Sequence, residues 1–344
     1  MAVRAFAGVP VLGKLLLGAC TMLARYILLI ARLVSALPYS VLYMKTQGAL
    51  LWLLLCAALF VLGVLLRKRP FLRVLLPIGI AVCALAVIFW RADRFYRKND
   101  TVSVLNVGQG QCITAFAGDV TAVIDCGNTF TLENAGAIAG EYLYSCGRNR
   151  VEILLLTHLH ADHADGAVRL MELIPVDTLI LPADADRSGG LYDSILACAE
   201  RHGTKVILLE HSADFACGRM LMEVYKLSDK GDENERCLMA RLHIGETELL
   251  VTGDVSKTLE RRLAALEDLS GTDILVVVHH GSQYASSEEL LREVGGGLAV
   301  VSTGYNNYGH PAEETLERLA ETGYNVLRTD CDGTVEILAG RSDG

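Results

Sequence analysis

A short buried strand that ends in a group of metal-binding side chains constrains this sequence more than any other feature. Residues 151–156 are apolar apart from Glu152, which is typical of a strand covered on both faces. The chain then turns through residues 157–166, where six positions contain four potential ligands: His158, His160, Asp162 and His163. Zinc and manganese both accept imidazole and carboxylate ligands. The sequence therefore predicts a metal centre at the end of a buried strand.

The spacing of these ligands favours two ions. His158 and His160 can reach one point, and Asp162 and His163 can reach a second, as in centres whose ions lie roughly 3.5–4 Å apart. The alternative is a polar loop that is rich in His and Asp by chance. Three of the nine histidines fall within six residues, which argues against that alternative. We therefore expect two divalent ions, zinc or manganese.

Composition separates a membrane part from a globular part. The 344 residues are 52% hydrophobic, which is high for a purely soluble enzyme. Residues 1–100 contain 13 Lys/Arg and two acidic residues, whereas residues 101–344 contain 18 basic and 38 acidic residues. The ten cysteines form no C-x-x-C pair, so neither a disulfide scaffold nor a zinc ribbon is indicated. We predict a membrane segment at 1–100 and a hydrolase domain at 101–344.

The membrane segment contains two apolar runs. Residues 49–66 and 71–90 are long enough to cross a bilayer, and the basic turn 67–70 between them predicts a helical hairpin. Residues 12–36 are interrupted by basic side chains, which favours an interfacial or packed helix ended by Pro38. No pattern of a cleaved signal peptide is present.

Orientation follows from the basic residues beside the spans. The positive-inside rule places Arg67–Arg73 in the cytoplasm and the globular domain outside. Basic residues after the second span oppose this placement: Arg91, Arg94, Arg97 and Lys98, diluted by Asp93 and Asp100. The expectation is a cell-membrane protein with an extracytoplasmic hydrolase domain.

The globular part alternates short strands with helices, which predicts two sheets flanked by helices. Strands are predicted at 101–107, 111–117, 120–124, 151–156, 178–181, 205–208, 220–227, 237–244, 248–252, 274–278, 299–302, 325–328 and 334–338. Helices are predicted at 138–146, 164–173, 191–202, 257–266, 287–294 and 313–322.

The H-x-H-x-D-H spacing resembles the metallo-β-lactamase superfamily, which implies an αββα sandwich, a dinuclear metal site and hydrolysis. Further segments resemble one branch, the C-terminal domain of the ComEC competence proteins. They are 104–110, 124–127, 234–238, 252–254, 279–282 and 308–311, and even 33–38 resembles the end of that family's membrane domain. The resemblance covers essentially all of 101–344 and implies a role in DNA uptake, degrading the strand that is not imported.

The chain departs from that family at three places. The segment 106–111 lacks two carboxylates of the family's Asp-Val-Gly-Gln-Gly-Asp motif, and His160 stands where many members have Asp. No histidine matches the third motif of the superfamily, because we interpret His202, His211 and His243 as surface residues. One of the two metal sites is therefore expected to have fewer ligands than the superfamily pattern provides.

Two later motifs are expected to complete the centre. Asp254 ends a predicted strand in a Thr-Gly-Asp turn, and we expect it to bridge both ions; an N-cap of the next helix is the alternative. His280 is expected to ligate the second ion. His279 should point to the opposite face unless the strand has already ended, so it is assigned a supporting or substrate-binding role.

The remaining site predictions concern substrate and support. His310 and Asp162 are the predicted catalytic residues; His310 could hold a phosphate, protonate a leaving group or ligate, or be an exposed loop residue. Asp125 is expected to accept a hydrogen bond from a ligand histidine. Three residues are predicted to bind phosphate oxygens: Ser282, Asn306 and Tyr308.

These features predict a membrane-tethered phosphodiesterase, a nuclease acting on single-stranded DNA through a metal-bridging hydroxide. The acidic balance of 101–344 argues against broad phosphate-backbone binding and leaves a small phosphodiester, a choline-phosphate ester or a lactone as alternative substrates. A third hypothesis is an accessory subunit with little catalysis, docked to a separately encoded ComEC-like channel.

Overall fold

The computed structural model describes residues 10–35, 42–65 and 70–339, and residues 101–339 contain two seven-stranded sheets. The helices are α1 Pro10–Ser35, α2 Thr46–Leu65, α3 Pro70–Lys98, α4 Ala135–Ser145, α5 Ala161–Ala164, α6 Ala167–Leu173, α7 Leu191–His202, α8 Lys257–Leu266, α9 Glu288–Val294, α10 Glu313–Glu321 and α11 Thr329–Asp332. The strands are β1 Thr101–Val104, β2 Gln109–Ala117, β3 Val120–Thr129, β4 Val151–Leu155, β5 Val176–Pro182, β6 Lys205–Leu209, β7 Ala213–Cys217, β8 Met220–Tyr225, β9 Met239–Ile244, β10 Thr247–Val251, β11 Ile274–Val276, β12 Gly297–Val301, β13 Tyr324–Arg328 and β14 Val335–Leu338.

The two sheets pack face to face and carry helices on their outer surfaces. The first sheet has the order β14-β1-β2-β3-β4-β5-β6, and the second has the order β13-β12-β11-β10-β9-β8-β7. One apolar core lies between the sheets and includes Ile124, Leu155 and Leu249. Separate cores bury the outer faces under α4, α6 and α7 on one side and under α8, α9 and α10 on the other. The predicted αββα sandwich is confirmed.

Alternation along β4 explains why its sequence reads as continuously apolar. Leu154 packs into the core under the helices, while Ile153 and Leu155 pack into the core between the sheets. Successive side chains of a strand point to opposite faces, so a strand covered twice needs apolar residues at consecutive positions.

Parallel pairing brings several strand ends to one edge of the sandwich. Strands β3, β4, β5 and β6 run parallel in the first sheet, as do β10, β11, β12 and β13 in the second. In such sheets the loops that follow the strands gather at the carboxyl edge. The predicted site residues follow β4, β10, β11 and β12, or lie near the end of β3.

Helices α2 and α3 form an antiparallel pair. The indole Nε1 of Trp52 donates to the carbonyl oxygen of Ala81 over 3.0 Å, and an added Cβ at Gly63 would lie 3.0 Å from the Arg73 carbonyl oxygen. Thr46–Leu65 and Phe71–Lys98 are long and apolar enough to cross a membrane. The predicted basic turn at 67–69 and Pro38 lie outside the described residues.

The end of α3 is attached to the globular domain by polar contacts. Arg97 pairs with Asp119 in the turn between β2 and β3, and Arg148 donates to the carbonyl oxygen of Tyr96. The Tyr96 hydroxyl donates to Glu336 on β14 over 3.0 Å. These contacts hold α3 against the edge where β3 begins.

Helix α1 belongs to a separate compact unit, residues 1–44. The helix predicted at 12–36 is found at Pro10–Ser35, and residue 36 lies outside the described residues. The interfacial placement of this helix stays a prediction, as does the domain division at residue 100.

Candidate metal centre

The predicted metal-binding loop enters the protein interior directly after β4. His158 and His163 are fully buried, and the His160 side chain is 46% exposed. Helix α5 holds this loop against the end of β3, where a Cβ at Gly127 would lie 2.4 Å from the backbone nitrogen of His163. Only glycine allows the two backbones to approach this closely.

Asp254, His279 and His280 reach the same place from the second sheet. Asp254 follows β10 and is buried. Strand β11 ends at Val276, and both histidines have positive φ, 51° for His279 and 53° for His280. Because the strand has ended, the two imidazoles do not point to opposite faces. His279 Nε2 lies 3.4 Å from Asp254 Oδ2.

The donor atoms form two overlapping groups. His158, His163 and Asp254 make one group, and Asp162, His163 and His280 make the other; within each, the potential ligand atoms lie within 4.8 Å of one another. His163 Nε2 is 3.1 Å from Asp254 Oδ1 and 3.1 Å from His280 Nε2. His160 joins through its Nδ1, which is 3.1 Å from His158 Nε2.

The orientation of the imidazoles fits a cation at this centre. His280 Nδ1 donates to the carbonyl oxygen of Ser302 over 2.8 Å, so the Nε2 of a neutral ring presents its lone pair to the centre. The buried Asp254 Oδ1 makes no hydrogen bond. A buried carboxylate oxygen and converging imidazole nitrogens are a donor set that divalent zinc or manganese accepts.

Electrostatics at the centre favour the same interpretation. Burial would raise the pKa of Asp254, but charge on His163 and His280 holds it well below its usual range. Burial would likewise lower the pKa of His163, but Asp254 and then Asp125 raise it well above its usual range. Burial, reinforced by His163, lowers the pKa of His158. The centre therefore stabilises positive charge between His163 and Asp254, and a divalent ion there would displace a proton.

Asp125 supports the centre from the end of β3. It is fully buried, and its carboxylate accepts from His163 Nδ1 over 2.7 Å and from the Thr157 backbone nitrogen over 2.7 Å. Gln111 Nε2 also donates to it over 2.8 Å. Gln111 occupies one of the positions where the ComEC motif has a carboxylate, and here it is a donor. Sequence reasoning did not assign a role to Gln111.

Glu233 is a second site residue that sequence reasoning missed. Its side chain lies only 11% exposed, although it belongs to a polar loop before β9. Glu233 Oε1 accepts from the Leu159 backbone nitrogen over 2.7 Å, and Oε2 lies 3.4 Å from His160 Nε2. A carboxylate at the far nitrogen of a ligand histidine fixes the orientation and tautomer of the ring.

We expect Glu233→Gln to lower the affinity for one of two ions about 10- to 100-fold. The amide can still accept a hydrogen bond from Leu159, but the negative charge beside His160 is lost. Zinc titration of the full chain in detergent, followed calorimetrically, measures both sites separately. Glu235→Gln, two residues further along the same loop, is the matched control. Equal affinities in wild type and Glu233→Gln would contradict the expectation.

His310 lies at the mouth of the centre. Its ring packs 5.6 Å from that of His279. Burial, with charge on His279 and His280, lowers the pKa of His310 to about 4. His310 is therefore neutral at neutral pH. It can hydrogen-bond a substrate oxygen, but it does not hold phosphate as a cation.

The three predicted phosphate-binding residues differ in availability. Asn306 uses its side chain to organise the loop: Nδ2 donates to the His310 carbonyl oxygen over 2.7 Å, and Oδ1 accepts from the Tyr308 and His310 backbone nitrogens over 3.0 and 3.1 Å. Ser282 is buried, and its Oγ accepts from the Tyr284 backbone nitrogen over 3.3 Å. Tyr308 is exposed. Asn306 thus positions His310 rather than presenting free polar atoms.

The three histidines considered for the third motif do not join the centre. His243 lies 3.1 Å from Glu223 and 3.3 Å from Glu248, and His202 and His211 are exposed.

The globular part of the chain is similar in sequence to known proteins. A model of the metallo-beta-lactamase superfamily matches residues 105–305. ComE operon protein 3 of Bacillus subtilis (strain 168) is 23% identical over 288 residues, 79% of this chain and 37% of that protein. Competence protein ComA of Neisseria gonorrhoeae is 28% identical over 284 residues, 78% of this chain and 38% of that protein. The chain thus spans less than two-fifths of the length of either relative.

Among solved structures, CmlA, a diiron beta-hydroxylase from Streptomyces venezuelae, matches 70% of this chain and 54% of its own with a TM-score of 0.46 and 14% identity.

Proposed function

Because the chain belongs to the metallo-β-lactamase superfamily, we propose that it is a membrane-tethered, metal-dependent phosphodiesterase that hydrolyses single-stranded DNA during uptake. The observation that carries this proposal is the pair of His/Asp groups sharing His163, with ligand atoms within 4.8 Å of one another. They would hold two divalent ions, zinc or manganese. Resemblance to competence proteins supports DNA as the substrate.

The side chains divide the work. Divalent ions bound here supply Lewis-acid polarisation of the phosphate and a nucleophile from water at neutral pH. Asp254 belongs to the first donor group and lies 4.0 Å from His280 Nε2 of the second, where Asp162 also lies. Asp125 and the Ser302 carbonyl oxygen orient His163 and His280 through their Nδ1 atoms. His279 and His310, whose pKa values burial lowers, offer neutral imidazoles to the substrate's phosphate oxygens.

A protein nucleophile is not required by this proposal. Cys237 is buried beside the centre, and burial, with the nearby Asp254, raises its pKa well above the usual range. A protonated thiol is a weak nucleophile. Among the described residues, no basic side chain is hydrogen-bonded to the Ser282 hydroxyl.

The acidic balance of residues 101–344 favours a second candidate with the same centre: hydrolysis of a small phosphodiester, a choline-phosphate ester or a lactone. A nuclease and a small-ester hydrolase differ in which substrate is cleaved, not in which residues bind metal.

The experiment uses the full chain in detergent with zinc or manganese, a labelled single-stranded oligonucleotide and bis(p-nitrophenyl) phosphate. Metal-dependent cleavage of the oligonucleotide that disappears in Asp162→Ala/His163→Ala supports the nuclease. Cleavage of the small diester alone supports the second candidate. Metal binding without any hydrolysis would favour an accessory role with little catalysis.

Membrane attachment through α2 and α3 completes the proposal, with the hydrolase domain outside the cytoplasm. The positive-inside rule supports this side, because the basic residues 67–73 between the two spans favour the cytoplasm. Cys331 is exposed in the globular domain. A membrane-impermeant maleimide should label it in intact cells and should label Cys331→Ser less; equal labelling would count against an extracytoplasmic domain.

A separately encoded ComEC-like channel subunit is the proposed partner, docked on the α2–α3 hairpin. The hairpin's apolar side chains are largely exposed, as Leu54 and Phe60 illustrate. Co-purification of the channel with the full chain, and its loss when such residues become polar, tests this part.

A further inference from the structure

The exposed aromatic side chains of the globular domain lie on the loops that carry the candidate metal centre. Within residues 101–339, the aromatic residues classed as exposed are Phe130, Tyr284, Tyr305 and Tyr308, at 50%, 76%, 77% and 60%. They lie on three loops, after β3, β11 and β12, which also carry or adjoin the site residues. The remaining aromatic residues of this range are buried or partly buried. We call these four side chains the aromatic rim.

Two members of the rim, Phe130 and Tyr308, are connected to the centre by ring contacts. The Phe130 and Tyr308 rings pack edge to face with centroids 5.8 Å apart, and Tyr308 lies 5.8 Å from the ring of His310. His310 in turn packs 5.6 Å from His279, whose Nε2 lies 3.4 Å from Asp254. A continuous series of contacts therefore connects Phe130 and Tyr308 to Asp254.

Large exposed rings grouped at one place indicate a binding surface, because single exposed apolar residues are scattered on most proteins. A small ester would occupy only the centre and would leave the outer rings unused. Bases of a single strand have free π-faces that stack on aromatic side chains regardless of sequence. Such stacking also supplies affinity where Lys and Arg are scarce, as in this acidic domain.

A lipid surface fits the rim less well. Strand β3 runs from the turn containing Asp119, which pairs with Arg97 of α3, to Phe130 at its far end. Ten strand residues span roughly 30 Å at about 3.3 Å each. The rim therefore lies at the opposite end of β3 from the attachment of the membrane helix.

We infer that the aromatic rim is a stacking platform for the unpaired bases of a single-stranded nucleic acid, which delivers the backbone to the metal centre. The inference deepens the proposed function and rests on it, because it names the side chains that would hold the single-stranded substrate. Paired bases are not available for stacking, so a duplex should bind more weakly.

The test measures binding without hydrolysis. The full chain in nanodiscs is titrated, with chelator present, against a fluorescent oligothymidylate, an abasic strand of the same length and a duplex. We expect the oligothymidylate to bind more tightly than the other two. Tyr305→Leu and Tyr308→Leu should each weaken binding about 5- to 100-fold, whereas Tyr305→Phe retains it because the ring stays.

Controls and contrary outcomes are distinct from those of the hydrolysis test. Leu266→Ala, an exposed apolar residue at the end of α8, should bind like wild type. Equal affinity for the abasic strand, or no effect of the leucine variants, would overturn the inference even if metal-dependent hydrolysis is found. Slower hydrogen exchange of residues 304–308 in nanodiscs than in detergent, with no protection by the oligonucleotide, would identify lipid as the occupant and also overturn it.

Discussion

Asp254→Asn is expected to remove most bound metal and with it nearly all hydrolysis. Asp254 lies between the two donor groups, with Oδ2 at 3.8 Å from His158 Nε2 and Oδ1 at 3.1 Å from His163 Nε2 and 4.0 Å from His280 Nε2. Losing a residue that merely orients a ligand costs about 10- to 100-fold in metal affinity. A carboxylate that would itself ligate the ions should cost at least this much. Metal content by mass spectrometry of the dialysed full chain measures the effect independently of activity.

Asp214→Asn provides the matched control, since it makes the same chemical change at an exposed position on β7. It should retain the metal content of wild type. Thermal unfolding of both variants without metal separates loss of ligation from loss of fold. If Asp254→Asn kept two ions per chain while folded, Asp254 would not be a ligand. The helix-capping alternative does not explain Asp254, since Ser256 is the N-cap residue of α8.

The fold could be predicted because its strands are short, alternating and bounded by turns. The predicted strands at 120–124 and 151–156 correspond to β3 and β4, whose neighbouring residues enter different cores. Strand β7 was missed because it is an edge strand, paired with β8 alone, and Ala and Asp in it have low strand preference.

Tertiary contacts explain two differences in local structure. The helix predicted at 164–173 begins only at Ala167, as α6, because the Gly166 backbone nitrogen donates to the Cys126 carbonyl oxygen over 2.8 Å; the short helix α5 before it was not predicted. The strand predicted at 274–278 ends at Val276, which lets both His279 and His280 approach Asp254. No sequence pattern marks either point.

Some residues of the candidate site could be predicted from sequence motifs, and others could not. The ligands are grouped in motifs and could be predicted, although their roles stay predictions. Glu233 could not, since nothing in the acidic segment 229–235 distinguishes it from its neighbours; only the fold brings it to His160. The aromatic rim could not be predicted either, because Phe130 and Tyr305 are more than 170 positions apart in the sequence.

Asp125→Ala is expected to destabilise the protein by about 3 kcal/mol or more. The carboxylate is fully buried and accepts hydrogen bonds from His163, Thr157 and Gln111. Each buried donor left without an acceptor costs about 1–3 kcal/mol. Asp125 also has a φ of 55°, a conformation that disfavours alanine. Chemical denaturation of the full chain in detergent with chelator measures the loss without a contribution from metal.

Asp125→Asn separates the two roles of this residue. Asparagine tolerates the left-handed backbone and keeps one acceptor oxygen, so it should lose less stability than alanine. It removes the negative charge beside His163, however, and should still weaken metal binding about 10- to 100-fold. A variant with unchanged metal affinity but reduced stability would show that Asp125 only holds the loop together. A variant with nearly native stability and weakened affinity would show that its charge acts on the metal through His163.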